Sequence, residues 1–205
     1  MTDFINIFLP PSKISRQVGL FFGSFNPVHI GHMAISNYMV EFTPLKEVWF
    51  VVSPQNPFKK QEDLLKDFDR FEMVQRAIGD DPRFRAVDAE FRMPKPSFTI
   101  DTLKLLTEKY PDHHFSLIIG SDNLEKFAQW KDYQTILNNY QVLVYPRPGC
   151  DNSGEITFSS MQRIDAPQLE ISSTFLRKSI SEGKNMRMFF PAPVWEYIDK
   201  MNFYR

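Results

Sequence analysis

The chain has little cysteine: Cys150 is the single one in 205 residues. One thiol closes no internal disulfide, which excludes a disulfide-stapled secreted fold and makes a reducing compartment the default. An excess of either charge is also missing. Lys and Arg number 24 against 25 Asp and Glu, a formal net charge of −1. That balance argues against a dedicated nucleic-acid binder or a membrane-surface protein, both of which need a strongly basic face. No apolar run approaches the length that crosses a bilayer. Residues 1–17 lack the basic start and long apolar centre of a secretory signal, and Pro10-Pro11 forbids a continuous helix there. They read as a short leader, and the cytoplasm is the expected location. Internal repeats and low-complexity tracts are absent.

Hydrophobic residues make up 42% of the chain and aromatics 15%, with 20 Phe, enough to bury a core. The length suits one domain, 18–205. Five apolar, β-rich runs punctuate it: Val18–Phe22, Val48–Val52, Phe84–Val87, Phe115–Ile119 and Val142–Tyr145. Near-continuous hydrophobicity suits strands buried on both faces of a parallel sheet. Helical spacings lie between them, in Met33–Val40, in Leu64, Phe68, Phe71 and Ile78, and in Ile100, Leu103, Leu106 and Tyr110. The pattern predicts an α/β, doubly wound parallel sheet with helices on both faces. Residues 146–160 read as a loop. A small helical part closes the chain. One helix is expected from Ser172 to a stop at Gly183, with Ile171 and Leu176 spaced as a hydrophobic staple. Another begins at Pro191-Ala192-Pro193, with Val194, Tyr197, Ile198 and Met201 on one face.

Ligands of such sheets bind at the carboxyl ends of the strands, where strand order reverses. Five segments fall on that edge. Gly23-Ser24-Phe25-Asn26-Pro27-Val28-His29-Ile30-Gly31-His32 joins the first strand to a helix. A glycine turn and a helix N-terminus suit an anion, and His29 and His32 are spaced to face one side. The pair is equally consistent with a capped helix start. Ser53-Pro54-Gln55-Asn56-Pro57-Phe58-Lys59-Lys60 follows the second strand, either as a phosphate-reaching loop or as a solvated basic one. In Pro96-Ser97-Phe98-Thr99-Ile100-Asp101, Ser97 or Thr99 could cap the helix that follows or offer hydroxyls to a ligand. Gly120-Ser121-Asp122-Asn123 sets amides and a carboxylate after the fourth strand. Trp130 beyond it is a stacking face or a core residue. Ile171-Ser172-Ser173-Thr174 with Arg177 makes a second anion site, or only a cap and a surface charge.

GSFNPVHIGH, SPQNPFKK, PSFTIDTL, GSDNLEKFAQWKDY and ISSTFLRKSI occur in this order in one chain. Together they resemble the bacterial nicotinate-nucleotide adenylyltransferases of the HxGH nucleotidyltransferase superfamily, from Val18 to the C-terminus. The resemblance implies a Rossmann-like fold and transfer of the adenylyl group of ATP to nicotinate mononucleotide. The products are nicotinate adenine dinucleotide and pyrophosphate. It implies His32, His29, Arg177 and Lys59 in catalysis. ATP is expected on Gly23, Ser24, Phe25, His29, His32, Ile171, Ser172, Ser173, Thr174 and Arg177. The mononucleotide is expected on Lys59, Thr99, Gly120, Asp122 and Trp130. Magnesium is expected on the ATP phosphates, with no protein carboxylate assigned to it. The partners are these two small molecules; homo-oligomerisation stays open.

The chain departs from the pattern at three places. Asn26 stands where the family often has Asp, Phe58 where a His commonly precedes the lysine, and Lys131 where Tyr often follows Trp. The last bears on the choice between an acid and an amide mononucleotide. Rival readings are an amide-preferring or pantetheine-phosphate adenylyltransferase, a non-catalytic nucleotide sensor, and a metal site on His29 and His32 or on His113-His114. For the metal site, no Cys or acidic partner has ligand spacing nearby.

Overall fold

The computed structural model describes residues 16–54, 64–150 and 158–205. Six strands, β1 (Arg16–Gly23), β2 (Glu47–Val52), β3 (Phe84–Val87), β4 (His113–Gly120), β5 (Gln141–Tyr145) and β6 (Met161–Arg163), form one sheet. Their order is β3-β2-β1-β4-β5-β6, and every pairing is parallel. Five strands fall where the apolar runs predict them. The sixth, Met-Gln-Arg, is too short and polar to stand out in the sequence. The strand also begins earlier than the leader reading allows, because Arg16 and Gln17 pair with His113 and His114.

Seven helices pack on the sheet: α1 (Ile30–Phe42), α2 (Asp67–Ile78), α3 (Thr99–Lys109), α4 (Leu124–Phe127), α5 (Tyr133–Asn139), α6 (Ser173–Ser181) and α7 (Ala192–Lys200). Alternate strand residues feed two cores. Phe21, Phe50, Ile118 and Leu143 face α1, α2, α6 and α7 through Ile35, Met73, Leu176 and Val194. Leu20, Val51, Leu117 and Val144 face α3 and α5 through Leu103 and Ile136. Burial on both faces is why the strands read as unbroken apolar runs.

Three local expectations need correction. In α2 the buried residues are Arg70, Met73 and Val74, whereas Phe68 is 72% exposed and Leu64 precedes the helix. Charged Arg70 is buried because it satisfies backbone carbonyls, as described below. Neither Ser97 nor Thr99 caps α3. Phe98 holds the N-cap position, and the Ser97 hydroxyl donates to Glu90 Oε2 at 2.7 Å. Met201 lies beyond the end of α7 and is exposed. Both ends of α6 are as expected: at its start Ser172 Oγ accepts from the Phe175 amide at 3.2 Å. Gly183, with φ +74, takes the left-handed stop and donates to the Ile180 carbonyl.

β1 is central. The chain moves one way from it to β2 and β3, then returns to its other side as β4. Gly23 and Gly120 end these two neighbouring strands at the point of reversal.

Candidate active site

A cleft of about 490 Å³ opens between the carboxyl ends of β1 and β4. Its first wall is the turn after β1. Gly23 leaves room for the Phe25 ring, which a side chain at this position would strike. Phe25 has φ 45, a strained conformation for a residue with a side chain. Its ring is locked edge-on against Phe21, Phe50 and His32 at 5.8, 5.5 and 5.2 Å.

His29 is the N-cap of α1 and His32 the third residue of its first turn, and the two face one side as their spacing predicts. Their rings are tilted by 31° to each other, with centroids 3.8 Å apart. The His29 amide donates to His32 Nδ1 at 3.2 Å. A nitrogen that accepts carries no proton, so neutral His32 holds its proton on Nε2, as a donor. Burial, and secondarily the charge of Arg147, pull the His29 pKa down to about 3, which keeps this ring neutral. Its buried Nδ1 has no hydrogen-bond partner among the described residues. No acidic residue enters the first turn of α1, so its positive end is left for an anion.

The second wall is the start of α6. Arg177 Nη1 donates to the Asn26 carbonyl at 2.8 Å and Ser173 Oγ to the Pro27 carbonyl at 2.9 Å. Both bonds tie α6 to the first turn, and Thr174 completes this wall. Opposite, a Cβ at Gly120 would push aside Asp122 Oδ1 and press on the Arg147 side chain, so glycine here lets these two side chains close in. Arg147 Nε lies 3.6 Å from Asp122 Oδ1, and the Arg147 amide donates to Ser121 Oγ. The far end is formed by Glu90, Ser97, Phe98, Thr99, Trp130 and Lys131. Trp130 packs on Phe127 at 5.1 Å and also lines the cleft, so core packing and ligand contact are both open to it.

A model of the cytidylyltransferase-like family matches residues 20–179. A Cytophaga hutchinsonii protein named "probable nicotinate-nucleotide adenylyltransferase" is 50% identical over 92% of this chain and 98% of its own length. A Flavobacterium johnsoniae protein of the same name is 48% identical over 92% and 99%. The chain belongs to the nicotinate-nucleotide adenylyltransferase family. In fold it matches a Plasmodium falciparum nicotinic acid mononucleotide adenylyltransferase complexed with NaAD. The TM-score is 0.77 at 20% identity, over 92% of this chain and 97% of that one.

Of the residues expected at an adenylyltransferase site, the cleft gathers Gly23, Ser24, Phe25, His29, His32, Thr99, Gly120, Asp122, Trp130, Ser172, Ser173, Thr174 and Arg177. Ile171 lies aside, in a shallow recess next to His29 and Gly31. Lys59 and Phe58 lie outside the described residues. Ser172 is engaged as a cap. Asn26 is a buried strut, whose Oδ1 accepts from the Leu65 amide at 3.3 Å and the Tyr204 hydroxyl at 2.9 Å.

Sequence reasoning misses three residues. Arg147 reads as a charge in a Pro/Gly loop, although it follows β5 directly on the ligand edge, and that position was the available signal. Glu90 is buried and accepts from the Ser97 and Thr102 hydroxyls at 2.7 and 2.8 Å. Arg70 is fully buried and donates to the carbonyls of Ser24, Ser53, Pro54 and Leu65, and to Asp67. Glu90 carries no local signal, and Arg70 carries only its pairing with Asp67 three residues before it. Among the described residues, no group of three or more His, Cys, Asp or Glu is placed to hold a metal ion, and no helix is long and apolar enough to cross a membrane. His113 packs against Trp49, Tyr110 and Phe115 at the start of β4, away from the cleft.

Proposed function

We propose that this chain transfers the adenylyl group of ATP to nicotinate mononucleotide, in the cytoplasm and in the service of NAD synthesis. A phosphate oxygen of the mononucleotide attacks the α-phosphorus of ATP in line. The new O–Pα bond forms as the bond from Pα to the bridging oxygen breaks, and pyrophosphate leaves with that electron pair. No protein nucleophile is needed. Positioning and charge neutralisation carry the step, and oriented substrates alone can reach effective molarities of about 10⁵ M or more.

The observation that carries this reading is the close histidine pair at the start of α1, in a cleft that Arg177 and Arg147 also line. His32 donates from Nε2 to the α-phosphate, where charge builds in the transition state. The amides from Gly23 to Phe25 receive the same phosphate. Thr174 and Arg177 hold the β- and γ-phosphates, and Ser173 keeps the start of α6 on the loop that faces them. Asp122 accepts from a ribose hydroxyl. Trp130 stacks on the pyridine ring, a contact worth about 0.5–1.5 kcal/mol beyond its buried area, with Thr99 beside it.

Magnesium is carried in with ATP and would supply charge neutralisation on the phosphates. Among the carboxylates of the cleft, Glu90 already accepts from two hydroxyls and Asp122 faces Arg147, so phosphate oxygens and water are its fitting ligands.

The test is pyrophosphate release with ATP and magnesium, comparing nicotinate and nicotinamide mononucleotides. Release with the acid and little with the amide is expected. Equal release with both keeps the reaction and removes the acid preference; no release with either sinks the reading.

A further inference from the structure

We propose that Lys131 makes the ring end of the cleft prefer a carboxylate to a carboxamide, by exchanging Asp101 for the carboxylate of a ring stacked on Trp130. The inference rests on the reaction proposed above.

The cations of the cleft fall into two groups. Arg147 and Arg177 accompany the histidines: Arg147 acts on the charge of His29, and Arg177 bonds the loop that leads to it. Lys131 stands apart, beside Trp130, Phe98 and Thr99, and is the one lysine among the described residues that line the cleft. A mononucleotide puts its phosphate at one end and its ring substituent at the other. Only the acid carries negative charge at both, so only the acid has a use for a cation at each end.

Lys131 is also free to change partners. Its ammonium lies 2.8 Å from Asp101 Oδ2 and 4.9 Å from the centroid of the Phe98 ring. The two side chains are 43% and 36% exposed, and an ion pair that exposed holds its members weakly. Asp101 sits in the first turn of α3. The helix amides there favour a carboxylate whether or not a lysine is present. A second carboxylate brought to Lys131 therefore displaces Asp101 without stranding it.

The remaining charges leave the lysine as the group that can tell an acid from an amide. Among the residues that line this end of the cleft, buried Glu90 is the one carboxylate and Lys131 the one cation, while Asp101 meets it only through its bond to Lys131. Without Lys131 an acid loses the one cation at this end of the cleft and an amide loses nothing.

The experiment compares kcat/KM for nicotinate and nicotinamide mononucleotides, with ATP saturating, in the wild type, Lys131→Met, Lys131→Arg and Asp101→Asn. Methionine keeps an unbranched apolar stem over Phe98. Lys131→Met is expected to lose about tenfold with the acid, the size of one charge-assisted contact, and much less with the amide. Lys131→Arg should retain most of the wild-type ratio, and Asp101→Asn should lower KM for the acid alone. If acid and amide fall by one common factor in Lys131→Met, the lysine merely packs the wall, and the proposal is wrong. If the wild type releases no pyrophosphate with either compound, the proposed reaction fails. The ratio of the two dissociation constants, measured by calorimetry on wild type and Lys131→Met, then decides the role of Lys131: a ratio unchanged by the substitution overturns it.

Discussion

At the scale of single residues, the chemistry turns on how two imidazoles are held. Accepting the His29 amide at Nδ1 leaves His32 with its proton on Nε2, so the backbone sets the tautomer before any substrate arrives. His32→Ala removes a donor that acts as charge develops. The turnover number should fall by about 10²-fold or more, while ATP affinity, measured by calorimetry, changes far less. An unaltered turnover number takes His32 out of the reaction. His29 gives a pH prediction. Its pKa is about 3 in the folded chain, against 6.5 for an unperturbed histidine. Between those values the unfolded chain binds a proton that the folded chain refuses. The stability gained from a neutral His29 is complete above 6.5 and is lost as pH falls toward 3. The melting temperature should therefore drop between pH 7 and pH 4. His29→Asn, which cannot titrate, should flatten that drop. An identical slope in the variant would assign the acid sensitivity to other groups.

At the scale of elements, the site hangs on Arg70. Its guanidinium spans from Ser24, after β1, to Ser53 and Pro54, after β2, and to Leu65, before α2. Burial pulls its pKa down, and the hydrogen bond to Asp67 opposes that pull. Arg70→Met leaves four carbonyls short of a donor, Pro54 buried and Ser24, Ser53 and Leu65 half-buried, a cost of about 3 kcal/mol in sum. The expected result is a clear fall in the urea midpoint. The rise in KM should be shared by both substrates, because the turns after β1 and β2 both lose their brace. Arg70→Lys, a single point charge, should rescue stability only partly. A variant with normal KM values would show that the turns hold without the clamp.

Arg70 also marks what sequence can and cannot convey here. The five long strands, α6 with its Ser172 cap, and both histidines are legible because each signal is local: an apolar run, a cap, a glycine turn directly after a strand. Three of the partners of Arg70 lie 46, 17 and 16 residues away and are backbone atoms, which every residue possesses. Nothing in the side-chain pattern of α2 marks them. The apolar periodicity is right for Phe71 and Ile78, which pack on the core, and wrong for Phe68, which is outside. Arg147 fails differently: it is in the right place, but its meaning comes from Asp122 and His29, which other strands deliver.

At the scale of the whole molecule, the last third of the chain closes back on the first turn. Arg177 reaches Asn26, Ser173 reaches Pro27 and Tyr204 reaches Asn26, across 151, 146 and 178 residues. Tyr197 adds a bond to Asp69 at 3.0 Å. Burial pushes the Tyr204 hydroxyl pKa up, so it stays a donor throughout the working pH range. Its bond supports the residue whose carbonyl holds Arg177, and so the tail reaches the phosphate wall through one intermediate. Tyr204→Phe removes that hydroxyl and leaves Asn26 Oδ1 with the Leu65 amide. The expected loss is about 1 kcal/mol, a fall in melting temperature of about 2–4 °C for a domain of this size. KM for ATP should rise, and KM for the mononucleotide should not. Deleting residues 202–205 also removes Phe203, whose ring meets Tyr197 at 5.6 Å; the melting temperature should fall further, with the same bias toward ATP. A tail that only stabilises would lower the melting temperature and leave both KM values alone, and the coupling from Tyr204 through Asn26 to Arg177 would then be absent.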